Sequence, residues 1–221
     1  MKKLPVAFAL MLAASTISTH VAAFGLPKIP GIPLLGGSGA AVDVEGFMTK
    51  ASEINKLFQD SALTLALAVS DKDKVAELET LQTALAATAD PKEKEALVKQ
   101  LSEKSTAALN AASEQQEAAA ARLSAAKEDQ RDKYLKAAKN FALGALQATE
   151  LAPAGQSAIA SLQSNPLQVT KLFGLKRTMS DVAGIVSNST LALTKVPGIF
   201  RAANIPLTLP TSGKGTTSVA E

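Results

Sequence analysis

Between Pro91 and Pro153 the chain carries no proline and a single glycine, Gly144, and alanine dominates it, as in "AALNAASEQQEAAAARLSAA" (107–126). Alanine is the strongest helix former, so the backbone state of this middle third is well specified. The same residue contributes little once buried, because the hydrophobic gain scales with area at about 25 cal/mol per Å². Such helices must pack closely, and they bury shallow faces rather than filling a deep core. Residues 91–151 are long enough for one rod of about 90 Å at about 1.5 Å per residue, or for two helices divided at the charged cluster "KEDQRDK" (127–133). Leu97, Leu101, Ala108, Ala112, Ala119 and Leu123 keep an approximate heptad spacing along it, the pattern of a helix-packing or partner face. Glu95–Lys99, Asp129–Lys133 and Asp132–Lys136 sit four apart with the acid first, which supports a helix by a few tenths of a kcal/mol each.

The helical pattern begins earlier. From Asp43, the residues Phe47, Ala51, Ile54, Phe58, Ala62, Leu65 and Val69 recur at steps of three and four, an amphipathic stripe. Its second half, "SALTLALAV" (61–69), is apolar on nearly every side, which points to burial between several partners. "SDKDK" (70–74) interrupts the stripe and predicts a turn, with Ser70 and Asp73 in the spacing of a capping box. A second helix follows through Val75, Leu78, Leu81 and Leu85. "ADPKEKE" (89–95) is the stronger boundary. Asp90 is placed to cap, Pro91 suits the first helical position, and Glu93 suits the positive helix end.

After Pro153 the pattern predicts a short helix over 152–166, closed by Asn165-Pro166. One or two further helices are expected over 167–196, broken near Gly174 and ended by Pro197-Gly198. The final "TSGKGTTSVAE" is small and polar, a composition that favours disorder. Two phrases stand out. "KIPGI" at 28–32 and "KVPGI" at 195–199 share Lys, a β-branched residue, then Pro-Gly-Ile; they read first as Pro/Gly boundary segments at helix ends, and alternatively as two apolar arms that flank the bundle or dock as a pair on a membrane or partner.

At the N-terminus Lys2 and Lys3 precede an apolar run, Leu4 to Ala14, and the small-residue site Val21-Ala22-Ala23. That is the pattern of a secretory signal peptide, with cleavage expected after Ala23. The apolar run is shorter than the ~20 residues that span a bilayer. The expected organisation is a signal peptide at 1–23, a Pro/Gly-rich arm at 24–41, a helical domain at 42–200 and an extended polar tail at 201–221. The mature chain is expected to be periplasmic or extracellular and not lipid-anchored, since no cysteine is present.

Removing Lys2 and Lys3 takes the formal charge from +3 to +1, so no basic footprint for nucleic acid remains. The only histidine, His20, lies in the signal peptide, and the chain has no Cys and no Trp. Residues 24–221 therefore offer no Ser-His-Asp triad and no imidazole or thiolate ligands for zinc or copper. Glu114 and Glu117 have the spacing of a solvated helix face. Asp71 and Asp73 lack a calcium-loop pattern. Tyr134 beside Lys133 and Lys136 fits packing better than catalysis, and the cations of "FGLKR" (173–177) suit an anionic surface or a helix C-terminus equally. No cofactor is expected, and an enzyme is not.

The expectation is therefore an all-α protein: an elongated, Ala-rich helical bundle or long helical hairpin with extended arms at both ends. Its expected role is a non-catalytic envelope protein working through helix-mediated contact with a protein partner or a second copy of itself. The alternative is a carrier of a lipid or other apolar ligand, with contact to a membrane surface, in which Leu63, Leu65, Leu67, Val69, Ile185 and Leu191 line the cavity.

Overall fold

The computed structural model describes residues 43–163 and 169–214, all within one unit, Ala41–Glu221. The expected signal peptide, the first arm with its "KIPGI" phrase, the expected Asn165-Pro166 closure and the last seven residues lie outside the described residues. What is described is all-helical, without a strand.

Helix α1 (Val44–Val69) is the axis of the fold. Asp43 caps it, accepting a hydrogen bond from the Gly46 N–H at 2.9 Å. Every residue of the stripe from Phe47 to Val69 is buried, and α1 packs on five other helices, most extensively on α5 (Glu128–Gln163). The turn expected at 70–74 is present, but its cap is Asp71 rather than Ser70. Asp71 accepts from the Lys74 N–H at 3.0 Å and from Lys74 Nζ at 2.7 Å. Helix α2 (Lys72–Ala87) is peripheral, with Leu78 its one buried residue, and Lys104–Glu77 at 2.7 Å ties it to α3 (Pro91–Glu114). At the next boundary Asp90 accepts from the N–H groups of Lys92 and Glu93, and Pro91 opens α3, as the residues predict.

The long middle segment is neither one rod nor two helices but three: α3 (Pro91–Glu114), α4 (Gln116–Ser124) and α5 (Glu128–Gln163). No breaker residue marks the first division. Gln115 leaves the helical region at φ −107°, ψ 48°, and α4 then packs on α1 and α7 (Val196–Ala202). The energy gained by that docking overrides alanine's local preference. The second division falls at 125–127, at the start of the charged cluster. There Arg131 Nε donates to the Ala126 carbonyl at 2.8 Å, and Arg131 Nη2 donates to the Ser124 carbonyl at 3.1 Å. A cation thus satisfies carbonyls that the end of α4 leaves open.

Pro153 does not end a helix, and 152–166 is not a separate one: α5 continues through the proline to Gln163. A mid-helix proline costs about 3 kcal/mol, and burial of Leu151, Gly155, Ala158 and Leu162 on both sides of it holds the helix together. Gly155 permits the closest crossing: a Cβ there would fall 2.6 Å from Phe47 Cζ and nearer still to Met179 Sδ. Since Gly155 meets Phe47 while Gly144 meets Phe58, α5 runs antiparallel to α1. At the α1–α5 interface the rings of Phe58 and Phe141 lie 4.3 Å apart.

Helix α6 (Val169–Ser187) passes through Gly174 without a break. It runs parallel to α1, with Lys171 paired to Glu45 at 3.2 Å and Gly174 beside Met48. The "KVPGI" phrase is not extended. Leu191–Lys195 forms a π-helical turn and Val196–Ala202 forms α7, with Pro197 in its first turn. Pro197 has no N–H to give to the preceding turn, and the chain opens by one residue so that the Val196 N–H reaches the Leu191 carbonyl. Beyond α7, Asn204 takes a positive φ of 56° and the chain turns. Residues 205–210 are without regular structure, as expected of a tail, but they are not a free polar one. Ile205 and Leu207 press on the core, and Gly213 is buried.

Candidate contact groove between α3 and α6

Both α3 and α6 pack on α1, but they pack little on each other. Between them lies a groove of about 770 Å³. Its floor is α1, at Asn55, Phe58 and Gln59; Glu95, Val98, Lys99, Ser102 and Glu103 rise on the α3 side, and Arg177, Asp181 and Ile185 on the α6 side. The α3 wall runs from Glu95 to Asn110, about 22 Å at 1.5 Å per residue. Arg177 crosses the groove to pair with Glu95, which explains why Glu95 does not serve Lys99 as the sequence spacing suggests. Lys99 reaches the other way, to Glu103 at 3.9 Å. Burial raises the Asp181 carboxyl above the ordinary aspartate range, while the charges of Arg177 and Lys99 pull it back down.

The large hydrophobic residues that stand exposed among the described ones are Val98, at 38%, and Phe173, at 71%. Val98 lines the α3 wall. Phe173 stands one turn before Arg177, on the same face of α6. Neither was among the candidates drawn from the sequence. A signal existed for Phe173: it falls off the stripe of Leu175, Val182 and Ile185 that α6 buries.

The candidates themselves lie elsewhere. Leu101, Ala108, Ala112, Ala119 and Leu123 are buried in the chain's own core and Leu97 is half-buried, so this face is taken up by helices of the same molecule. Leu65, Val69, Ile185 and Leu191 are buried in that same core, with Leu63 and Leu67 packed against it. Of these six, Ile185 alone reaches the groove.

Glu114 and Glu117 flank the α3–α4 break in an open cleft of about 670 Å³. Both are exposed, and the neighbouring Gln116 Nε2 donates to the Gly198 carbonyl at 2.7 Å. The hydrogen bonds from Lys74 hold the Asp71 carboxyl below its ordinary range. Tyr134 packs against the core, and burial, then Asp129, raises its hydroxyl. Among the described residues no three His, Cys, Asp or Glu side chains gather as a metal site, and no helix is long and apolar enough to cross a membrane. Comparison of the chain with protein families, with curated proteins and with solved structures finds no match.

Proposed function

We propose that this chain is an exported, non-catalytic protein that acts by helix-mediated contact, and that the groove between α3 and α6 receives an amphipathic helix of a protein partner. The observation that carries this reading is Val98, an exposed large hydrophobic in the wall of the groove, with Phe173 exposed on α6 one turn before the groove residue Arg177. A trough flanked by two parallel helices over a third has the form of a bundle with one helix left out, and helices pack at about 8–10 Å between axes. Its length suits about four helical turns. The charges alternate in sign along it, at Glu95, Lys99, Glu103, Arg177 and Asp181, which suits a helix with a mixed polar face and two apolar anchors. The charged and amide side chains spaced along its walls make it a poor surface for a lipid tail. The export signal and the absence of His, Cys and Trp from residues 24–221 support the remainder of the reading.

A photo-crosslinking amino acid placed at Val98, at Phe173 and, as a control, at exposed Glu79 on α2 tests it in the native compartment. One shared protein adduct at positions 98 and 173, missing at 79, is the expected result. Identical adducts at all three positions, or none at 98 and 173, would refute the groove. In support, Val98→Glu and Phe173→Glu should change stability by no more than about 0.5 kcal/mol while removing the adduct from the unmodified position.

A further inference from the structure

Several glycines of this chain are explained by what the fold places beside them. A Cβ on Gly155 would strike Phe47 and Met179, and one on Gly144 would come within 3.2 Å of Phe58. Gly213 lies against α5: a Cβ there would meet the Gln147 Cα at 2.8 Å, and Glu150 Oε1 accepts from its N–H at 3.0 Å. Gly184, near the end of α6, has no such neighbour. A Cβ on it would meet nothing within 4 Å apart from its own helix, and its φ lies outside the left-handed region. Glycine weakens a helix relative to alanine, so the chain carries that cost here with no packing or backbone reason inside the molecule. What Gly184 does border is the α3–α6 groove. A glycine in a groove wall keeps open room that any other residue would fill.

One turn before Gly184, on the same face of α6, stands Asp181. The charged side chains of the groove are Glu95, Lys99, Glu103, Arg177 and Asp181, three acids and two bases with a formal sum of −1. Arg177 pairs with Glu95 and Lys99 with Glu103. Among the described residues Asp181 is the groove charge left without an ion pair. Arg177 and Lys99 pull on its carboxyl, but each is engaged elsewhere, and burial keeps the carboxyl above its ordinary range. A helix that fills the groove strips water from Asp181. A carboxylate desolvated without a partner is strongly unfavourable, so an occupant that leaves it unpaired binds poorly. A Lys or Arg on the occupant removes that penalty through a charge-assisted hydrogen bond. The room at Gly184, with Ile185 beside it in the groove, accommodates the apolar stem of such a long side chain.

We infer that the occupant of the α3–α6 groove is a basic amphipathic helix, one that lays a Lys or Arg side chain over Gly184 and onto the Asp181 carboxylate. The inference rests on the groove reading above and adds the partner's charge to it. Asp181 then acts in both directions. It favours a basic helix and rejects one with an acid at the same position, because like charges brought together at an interface disfavour the wrong partner.

The test is selection, on the full chain, from a displayed library of amphipathic helices of about 15 residues, four turns, with leucine anchors fixed and polar positions randomised. Helices enriched on the wild type should carry Lys or Arg at one polar position. Those enriched on Asp181→Arg should carry Asp or Glu there, and those on Asp181→Asn should show no charge preference. In fluorescence anisotropy, a basic peptide from the first set should bind the wild type at least about tenfold more tightly than the same peptide with Glu at that position. Gly184→Leu should lose these helices while melting no lower than the wild type; if it melts lower, the two Asp181 variants decide. Val98→Glu should lose them as well, which places them in the groove. Helices that depend on Val98 but show one charge preference on the wild type and on Asp181→Arg, or that bind a stable Gly184→Leu unchanged, would overturn the inference and leave the groove reading standing. Enrichment of no helix, or of none sensitive to Val98→Glu, would overturn the groove reading and the inference with it.

Discussion

Ser70 Oγ is buried where α1 turns into α2 and has no hydrogen-bond partner among the described residues. A buried hydroxyl left unpaired costs about 1–3 kcal/mol, and replacing it by an apolar group of similar shape is neutral or stabilising. Ser70→Ala is therefore expected to raise the urea midpoint by about 1 kcal/mol equivalent; a clear loss would mean that a bound water bridges the hydroxyl. Asp181 is a second group held at a cost. Its carboxyl is raised in the fold, so the fold disfavours the ionised form, and stability falls as pH rises from the ordinary value of 3.8 through the folded one. Asp181→Asn should be the more stable protein at pH 7, and the two unfolding curves should converge in acid. Asp71 has the opposite sign. Lys74 lowers it, so the stability it contributes is present at neutral pH and is lost as pH falls through its folded value. Asp71→Asn should flatten the acid side of the stability curve. Neither Ser70 nor Asp181 was legible as such a site in the sequence, because each depends on what surrounds it in space, whereas the partner of Asp71 stands three residues along the chain.

At the scale of elements, burial is unevenly shared. Helix α1 buries its whole stripe, whereas α2 buries Leu78 alone. Amide exchange should therefore be slowest in α1 and in the Phe141–Leu151 part of α5, and fastest among helices in α2, which opens locally without disturbing the core. Equal protection of α1 and α2 would contradict this ordering. The heptad-like residues of α3 and α4 belong to the same accounting. Leu101→Asp and Leu123→Asp place a charge in the chain's own core, a change of several kcal/mol, so both should lower the melting temperature sharply instead of selectively abolishing assembly. Element identity was readable from periodicity and caps: the α1 stripe and the Asp90-Pro91 start are as the residues predict. Element ends were not. Gln115 breaks a good helical sequence because α4 gains by turning onto α7, and Pro153 fails to break one because its neighbours are buried. Both outcomes are set by contacts far away in sequence.

At the scale of the whole molecule, the arms change meaning. The second Lys-Val-Pro-Gly-Ile phrase is helical and the segment beyond it is strapped to α5, so the C-terminal arm is part of the bundle. Protein exported from its own signal is expected to start at Phe24. Native mass spectrometry then reads that start and the stoichiometry in one spectrum.

Helical class, the amphipathic face of α1 and the exclusion of imidazole and thiolate chemistry from residues 24–221 were determined by the sequence alone, because each follows from local propensity, residue spacing or plain inventory. Where the helices end, which apolar face is spent inside the molecule and which stands exposed were decided only by tertiary structure. The heptad stripe of α3 could have met a partner or its own α1. It met α1, and Val98 and Phe173 were left facing out, because a side chain's neighbours are fixed by how whole helices pack and not by its place in the chain.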